Sequence, residues 1–163
     1  MTDQAAIDFA IEKYREYLTA IDHDWVCWIA AVDRLSTTEI HASGTCGDWS
    51  VRDLIAHIAA WDHEAIEKIH GIFEDALPPE DDESLDQFNE RTLEASRGFE
   101  LDVLQERMTS THSKLIATLE GASNQPTDIL ERIEWATADD TWKHYNQHIE
   151  QIEVRFPQRT TRP

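Results

Sequence analysis

The 163-residue sequence predicts an all-α fold, a four-helix bundle with one long crossover. Three observations carry this. Apolar residues recur at steps of three and four over long stretches. Serine-led helix caps stand in front of those stretches. No segment alternates with period two for long enough to make a strand.

The first element is one long helix. Ile7, Ile11, Tyr14, Leu18, Ile21, Trp25, Trp28, Val32 and Leu35 form a continuous seam of alternating four- and three-residue steps, with Thr2 placed to cap its start. Ser36-Thr37-Thr38-Glu39 has the form of a capping box and opens a short helix. Gly44 and Gly47 then break the pattern in a loop from Ala42 to Asp48. Ser50, with Asp53 as its box partner, caps the next helix, whose stripe is Leu54, Ile58, Trp61, Ala65, Ile69 and Phe73. An acidic loop with Pro78, Pro79, Glu80, Asp81, Asp82 and Glu83 follows, expected to be exposed and mobile.

Ser84-Leu85-Asp86-Gln87 is a further cap. Two apolar sets follow, Leu85, Phe88, Thr92, Ala95 and Phe99, then Leu104, Met108, Thr111, Leu115 and Leu119. Their phases do not match, and Gly98 lies at the slip, so a kink or break is expected there. Gly121 marks the stop. Residues 122–137 read as a loop with one helical turn around Asp128 to Arg132. Thr137, with Asp139 and Asp140, opens the last helix, whose stripe is Trp142, Tyr145, Ile149 and Ile152. Pro157 ends it. The expected domain is residues 1–156, with residues 157–163 a disordered tail.

Composition narrows the function classes. With 14 basic and 33 acidic residues the formal net charge is -19, which argues against nucleic acid or an anionic membrane as partner. The start of the chain shows no basic-then-apolar leader, and no stretch approaches a membrane span, so a cytoplasmic protein is expected. Cys27 and Cys46 stand at no metal spacing and read as a reduced pair. Cys27, beside two tryptophans, reads as a small core residue.

The candidate chemistry lies in three histidines. His144 and His148 are spaced i, i+4, so both rings project from one helix face. His57 lies on the other long stripe. Each sits one position before a core residue, at the edge of its helix, so packing the two helices side by side brings three imidazoles to one point. Three histidines with an open position are a common ligand set for a catalytic metal. Trp61 and Glu64 fall within about 40° of His57 on the helical wheel, and Trp61 is placed as an apolar wall. Asp53, Asp140 and Glu64 are the candidate catalytic carboxylates, as general base, fourth ligand or partner to an imidazole N–H. Asp53 and Asp140 also suit ordinary first-turn positions. His63 falls on another face, and His23, His41, His70 and His112 have no partner at ligand spacing.

The stretch Gly47-Asp48-Trp49-Ser50-Val51-Arg52-Asp53-Leu54-Ile55-Ala56-His57-Ile58-Ala59-Ala60-Trp61 resembles the second-helix signature of the DinB-like superfamily. Residues Thr141 to Ile152 resemble its last helix, and Asp86-Gln87-Phe88-Asn89 the opening of its third. The resemblance is to the ClbS/DfsB branch, with mycothiol-dependent maleylpyruvate isomerase N-terminal domains as relatives. It implies an up-down-down-up bundle and, in many members, a divalent metal held at the positions of His57, His144 and His148, with zinc, nickel and iron not distinguished. It also implies homodimers and, in some relatives, a low-molecular-weight thiol as co-substrate. Not every branch keeps the metal. The first helix is longer than the family's usual one, which suggests an interchain role.

Three functions compete. One is a metal-dependent hydrolase or thiol transferase acting on a small molecule. Another is a non-catalytic module that sequesters a small compound, for which six tryptophans would line a pocket. The third is a structural or interaction protein whose long first helix pairs between chains.

Overall fold

A computed structural model describes residues 3–76 and 83–158. It is helical throughout: α1 (Asp3–Asp33), α2 (Thr37–His41), α3 (Val51–Phe73), α4 (Leu85–Ser96), α5 (Leu101–Gly121), α6 (Thr127–Thr137) and α7 (Trp142–Arg155). The described residues contain no strand, only an isolated bridge between Cys46 and Trp49. The Thr2 cap, the acidic segment from Pro78 to Asp82, and residues 159–163 lie outside the described residues.

All three serine caps form as their sequences require. Ser36, Ser50 and Ser84 each accept from the backbone N–H three residues on, and Glu39, Asp53 and Gln87 return the bond. The break at Gly98 is real, and it separates α4 from α5. Arg52 of α3 spans it, donating to the carbonyls of Ser96 (3.0 Å) and Phe99 (2.6 Å).

The bundle has two main seams, α3 against α5 and α1 against α7. Its core joins Ile21 and Trp28 of α1, Leu54 and Ile58 of α3, Met108 and Leu115 of α5, and Tyr145 and Ile152 of α7, all buried. The stripes run out at their ends: Ile7, Phe73 and Leu85 are exposed.

Residues 127–137 correct the expected loop. They form a full helix, α6, packed on both α1 and α3. Leu130, Ile133 and Thr137 are its buried face, a stripe too short to stand out in the sequence. Thr137 therefore closes α6 rather than opening the last helix. Its hydroxyl donates to the Ile133 carbonyl and meets the Tyr17 hydroxyl at 2.6 Å, which ties α6 to α1. Nearby, the Tyr14 hydroxyl donates to the Leu119 carbonyl and fixes the end of α5.

Candidate metal centre

His57 comes from α3, His144 and His148 from successive turns of α7. Their ring nitrogens converge as their helix-edge positions predict. Nε2 of His144 lies 2.9 Å from Nε2 of His57 and 2.9 Å from Nε2 of His148. All three rings are buried, and one potential ligand atom from each lies within 4.8 Å of the others.

The donor set suits a cation better than it suits itself. Nδ1 of His148 sits 2.7 Å from Oε1 of Gln151, which can only accept, so the proton is on Nδ1 and Nε2 is bare. Nε2 of His144 faces two neighbours but carries either one proton or one lone pair. If protonated, its N–H cannot lie along both lines. If bare, it opposes the lone pair of His148. Hydrogen bonding alone leaves one contact unmade, whereas a shared cation takes all three lone pairs. In that state Nδ1 of His57 and of His144 would carry their protons, and both are buried without a hydrogen-bond partner among the described residues.

Electrostatics keep the rings neutral, the form in which imidazole binds metal. Burial, with added repulsion from His144 and His148, lowers the His57 pKa to about 2. Burial and His148 lower that of His144 to about 3. The Asp140 main-chain carbonyl opposes that shift without reaching hydrogen-bond geometry at Nδ1. Burial also lowers His148, against the pull of Gln151.

Aromatic rings enclose the cluster. Trp61 stands edge-on to His144 at 5.8 Å between centroids and is backed by Phe88 of α4. The expected wall is therefore present. A second wall, Trp49, meets His57 edge-on at 5.0 Å. It is carried there by a tight turn in which Gly47 adopts a left-handed φ of 56° and Cys46 and Trp49 exchange backbone bonds.

The carboxylates divide. Asp53 spends Oδ2 on the backbone N–H and hydroxyl of Ser50, so it serves the helix cap. Asp140 is buried and accepts from Nζ of Lys68 at 2.6 Å. Burial raises its pKa to about 6, opposed by Lys68 and supported by Glu64 and Asp139. Glu64 is half-buried and acts on Asp140 through its charge. Lys68, which the sequence reading missed, also lies 5.7 Å from the centroid of Trp61 and so links Asp140 to the wall of the cluster.

His112 has no partner at ligand spacing in the sequence, yet it finds two from other helices. It is buried against Asp62 and Tyr145. Its Nδ1 faces Asp62 Oδ2 at 3.3 Å and the Tyr145 hydroxyl at 3.2 Å, and that hydroxyl donates to Asp62 Oδ1 at 2.5 Å. Trp25 stacks flat on the His112 ring at 3.7 Å. The signal was in the register: His112 lies four residues after Met108, and Asp62 four after Ile58, both on core faces. His23 also has a neighbour, Cys27, four residues on. Cys27 is half-buried rather than a core residue. His63 is exposed.

The site and the fold define a helical-bundle protein with a buried three-histidine cluster. The chain belongs to the family of mycothiol maleylpyruvate isomerase N-terminal domains, a DinB-like domain whose model matches residues 21–145. The match takes in His57 and His144 and stops three residues before His148. Among curated proteins and among solved structures, nothing matches the chain.

Proposed function

We infer that the protein is a metal-dependent enzyme acting on a small molecule, of the hydrolase or thiol-transferase kind. One observation carries this: three neutral imidazoles, buried and from two helices, aim Nε2 at one point, with the His148 tautomer held by Gln151. His57, His144 and His148 would hold a divalent zinc, nickel or iron ion. Such an ion lowers the pKa of a bound water or thiol so that it attacks at neutral pH.

The protein's own groups supply the rest. Gln151 orients His148, and it also lines an open cleft of about 440 Å³ with Thr45, Gln147 and Arg155, which none of the three histidines lines. Trp49 and Trp61 pack against the imidazoles as apolar walls. Asp140, with a pKa near 6, is the carboxylate best matched to proton transfer near neutral pH, and Lys68 holds it in place. Asp53 is less suited, since its carboxylate is committed to the cap. The family takes its name from a mycothiol maleylpyruvate isomerase, which supports a thiol as co-substrate.

Elemental analysis of protein purified without a histidine tag tests the reading. About one metal per chain, lost in His144→Ala, is expected. Metal-free protein that folds normally and gains no metal on titration would overturn it. The aromatic walls also suit sequestration without turnover, which would show as saturable binding unaffected by a chelator.

A further inference from the structure

A second cluster lies on α1, apart from the three-histidine centre. Asp24 is 7 % exposed, and both of its carboxylate oxygens have a hydrogen-bond partner. Oδ2 accepts from the side-chain amide of Asn146 on α7 at 2.6 Å, and Oδ1 faces Nδ1 of His23 at 2.7 Å. That contact places the His23 proton on Nδ1 and leaves Nε2 bare. Nε2 in turn lies 4.0 Å from Sγ of Cys27, one helical turn further along. The order is therefore carboxylate, imidazole, thiol, with the base oriented by a third group that a neighbouring helix holds still.

Two readings compete for such a trio. As a metal site it is poor. Each Asp24 oxygen already holds a hydrogen bond that an ion would have to share, and even with Asp24 the trio offers only three donors, with the His23 ring largely exposed. The nucleophile reading fits the order of groups better: a base oriented by a third group stands 4.0 Å from the thiol, the looser end of the arrangement found in activated cysteines. The pair is also accessible: the His23 side chain is 72 % exposed and Cys27 half-buried. Cys46, the other thiol, makes no hydrogen bond to a histidine among the described residues and serves as an internal control.

We propose that Cys27 is a nucleophilic thiol, with His23 as its base and Asp24 as the positioning residue, that exchanges with small disulfides. In the step, the thiol proton passes to Nε2 of His23 and Sγ attacks one sulfur of R–S–S–R. The new bond is Cys27–S–S–R. The old S–S bond breaks, and the departing thiolate takes the proton back from His23 and leaves as R–SH. Cys27 is oxidised and the small disulfide reduced, with no further reagent.

The test uses dipyridyl disulfide on the full chain at neutral pH, following thiopyridone release by absorbance and assigning each site by peptide mass spectrometry. Cys27 is expected to react at least about ten-fold faster than Cys46, and His23→Gln to slow Cys27 at least about ten-fold while Cys46 keeps its rate. Because His23 is exposed, this variant is expected to melt as the parent does. Cys27→Ser removes the fast phase and leaves the slow one. Asp24→Asn falls between parent and His23→Gln. Equal rates at the two cysteines, or a Cys27 rate unmoved by His23→Gln, would overturn the assignment.

Discussion

Gln151→Leu separates a metal centre from a chance meeting of histidines. Gln151 accepts the Nδ1 proton of His148 at 2.7 Å, and the His148 ring is only 3 % exposed. Leucine removes the acceptor, and a buried donor left without a partner costs about 1–3 kcal/mol. The metal-free protein can escape part of this cost by moving the proton to Nε2, where His144 lies 2.9 Å away. The metal-loaded protein cannot, because Nε2 is then a ligand and the proton must stay on Nδ1. The penalty therefore falls mainly on the loaded state and appears as lost affinity. At about 1.4 kcal/mol per factor of ten, 1–3 kcal/mol is roughly a 5- to 150-fold loss. This brackets the 10–100-fold typical of removing such a partner. Zinc titration calorimetry of parent and variant, with thermal melts of both forms, reads it directly. Gln147→Leu, an exposed neighbour on the same helix, should leave affinity unchanged. Affinity of Gln151→Leu within two-fold of the parent, with the metal-free melt lowered, would refute the reasoning, since the bond would then serve folding alone.

Four further outcomes are expected. His144→Ala, which removes the nitrogen shared by both short contacts, should abolish stoichiometric metal in elemental analysis while the circular dichroism spectrum stays helical. For the metal-free protein, His57 and His144 have folded pKa values of about 2 and 3 against 6.5 unfolded, so the unfolded chain takes up protons first. Stability they contribute is present above pH 6.5 and is lost as pH falls below it; Asp140, raised from 3.8 to about 6, works in the opposite direction between those values. Urea midpoints at pH 7.5 and 5 should therefore differ less in His57→Phe than in the parent. Trp28→Ala empties a site with no exposure and strands Met108, and should cost about 3–5 kcal/mol by urea unfolding. Asp53→Ala should cost about 1 kcal/mol through its cap and leave metal affinity unchanged; a loss of metal would return Asp53 to the site.

What the sequence determined is local. Cap residues and helical periodicity are properties of a few neighbouring positions, which is why Ser36, Ser50 and Ser84 and the break at Gly98 could be read directly. The same local geometry placed His144 and His148 on one face and His57 at the edge of another. Whether those edges meet depends on how α3 and α7 sit across the bundle, and only the tertiary structure decided it. It also decided α6, whose short apolar stripe becomes a helix because α1 and α3 offer it a surface to bury against. The pairing of Lys68 with Asp140, 72 positions apart, and of His112 with Asp62 and Tyr145, has the same origin. Burying a charge or a polar ring is costly unless a partner is present. The partner can lie anywhere in the chain, so periodicity can mark such a residue as inward-facing but cannot say what it meets.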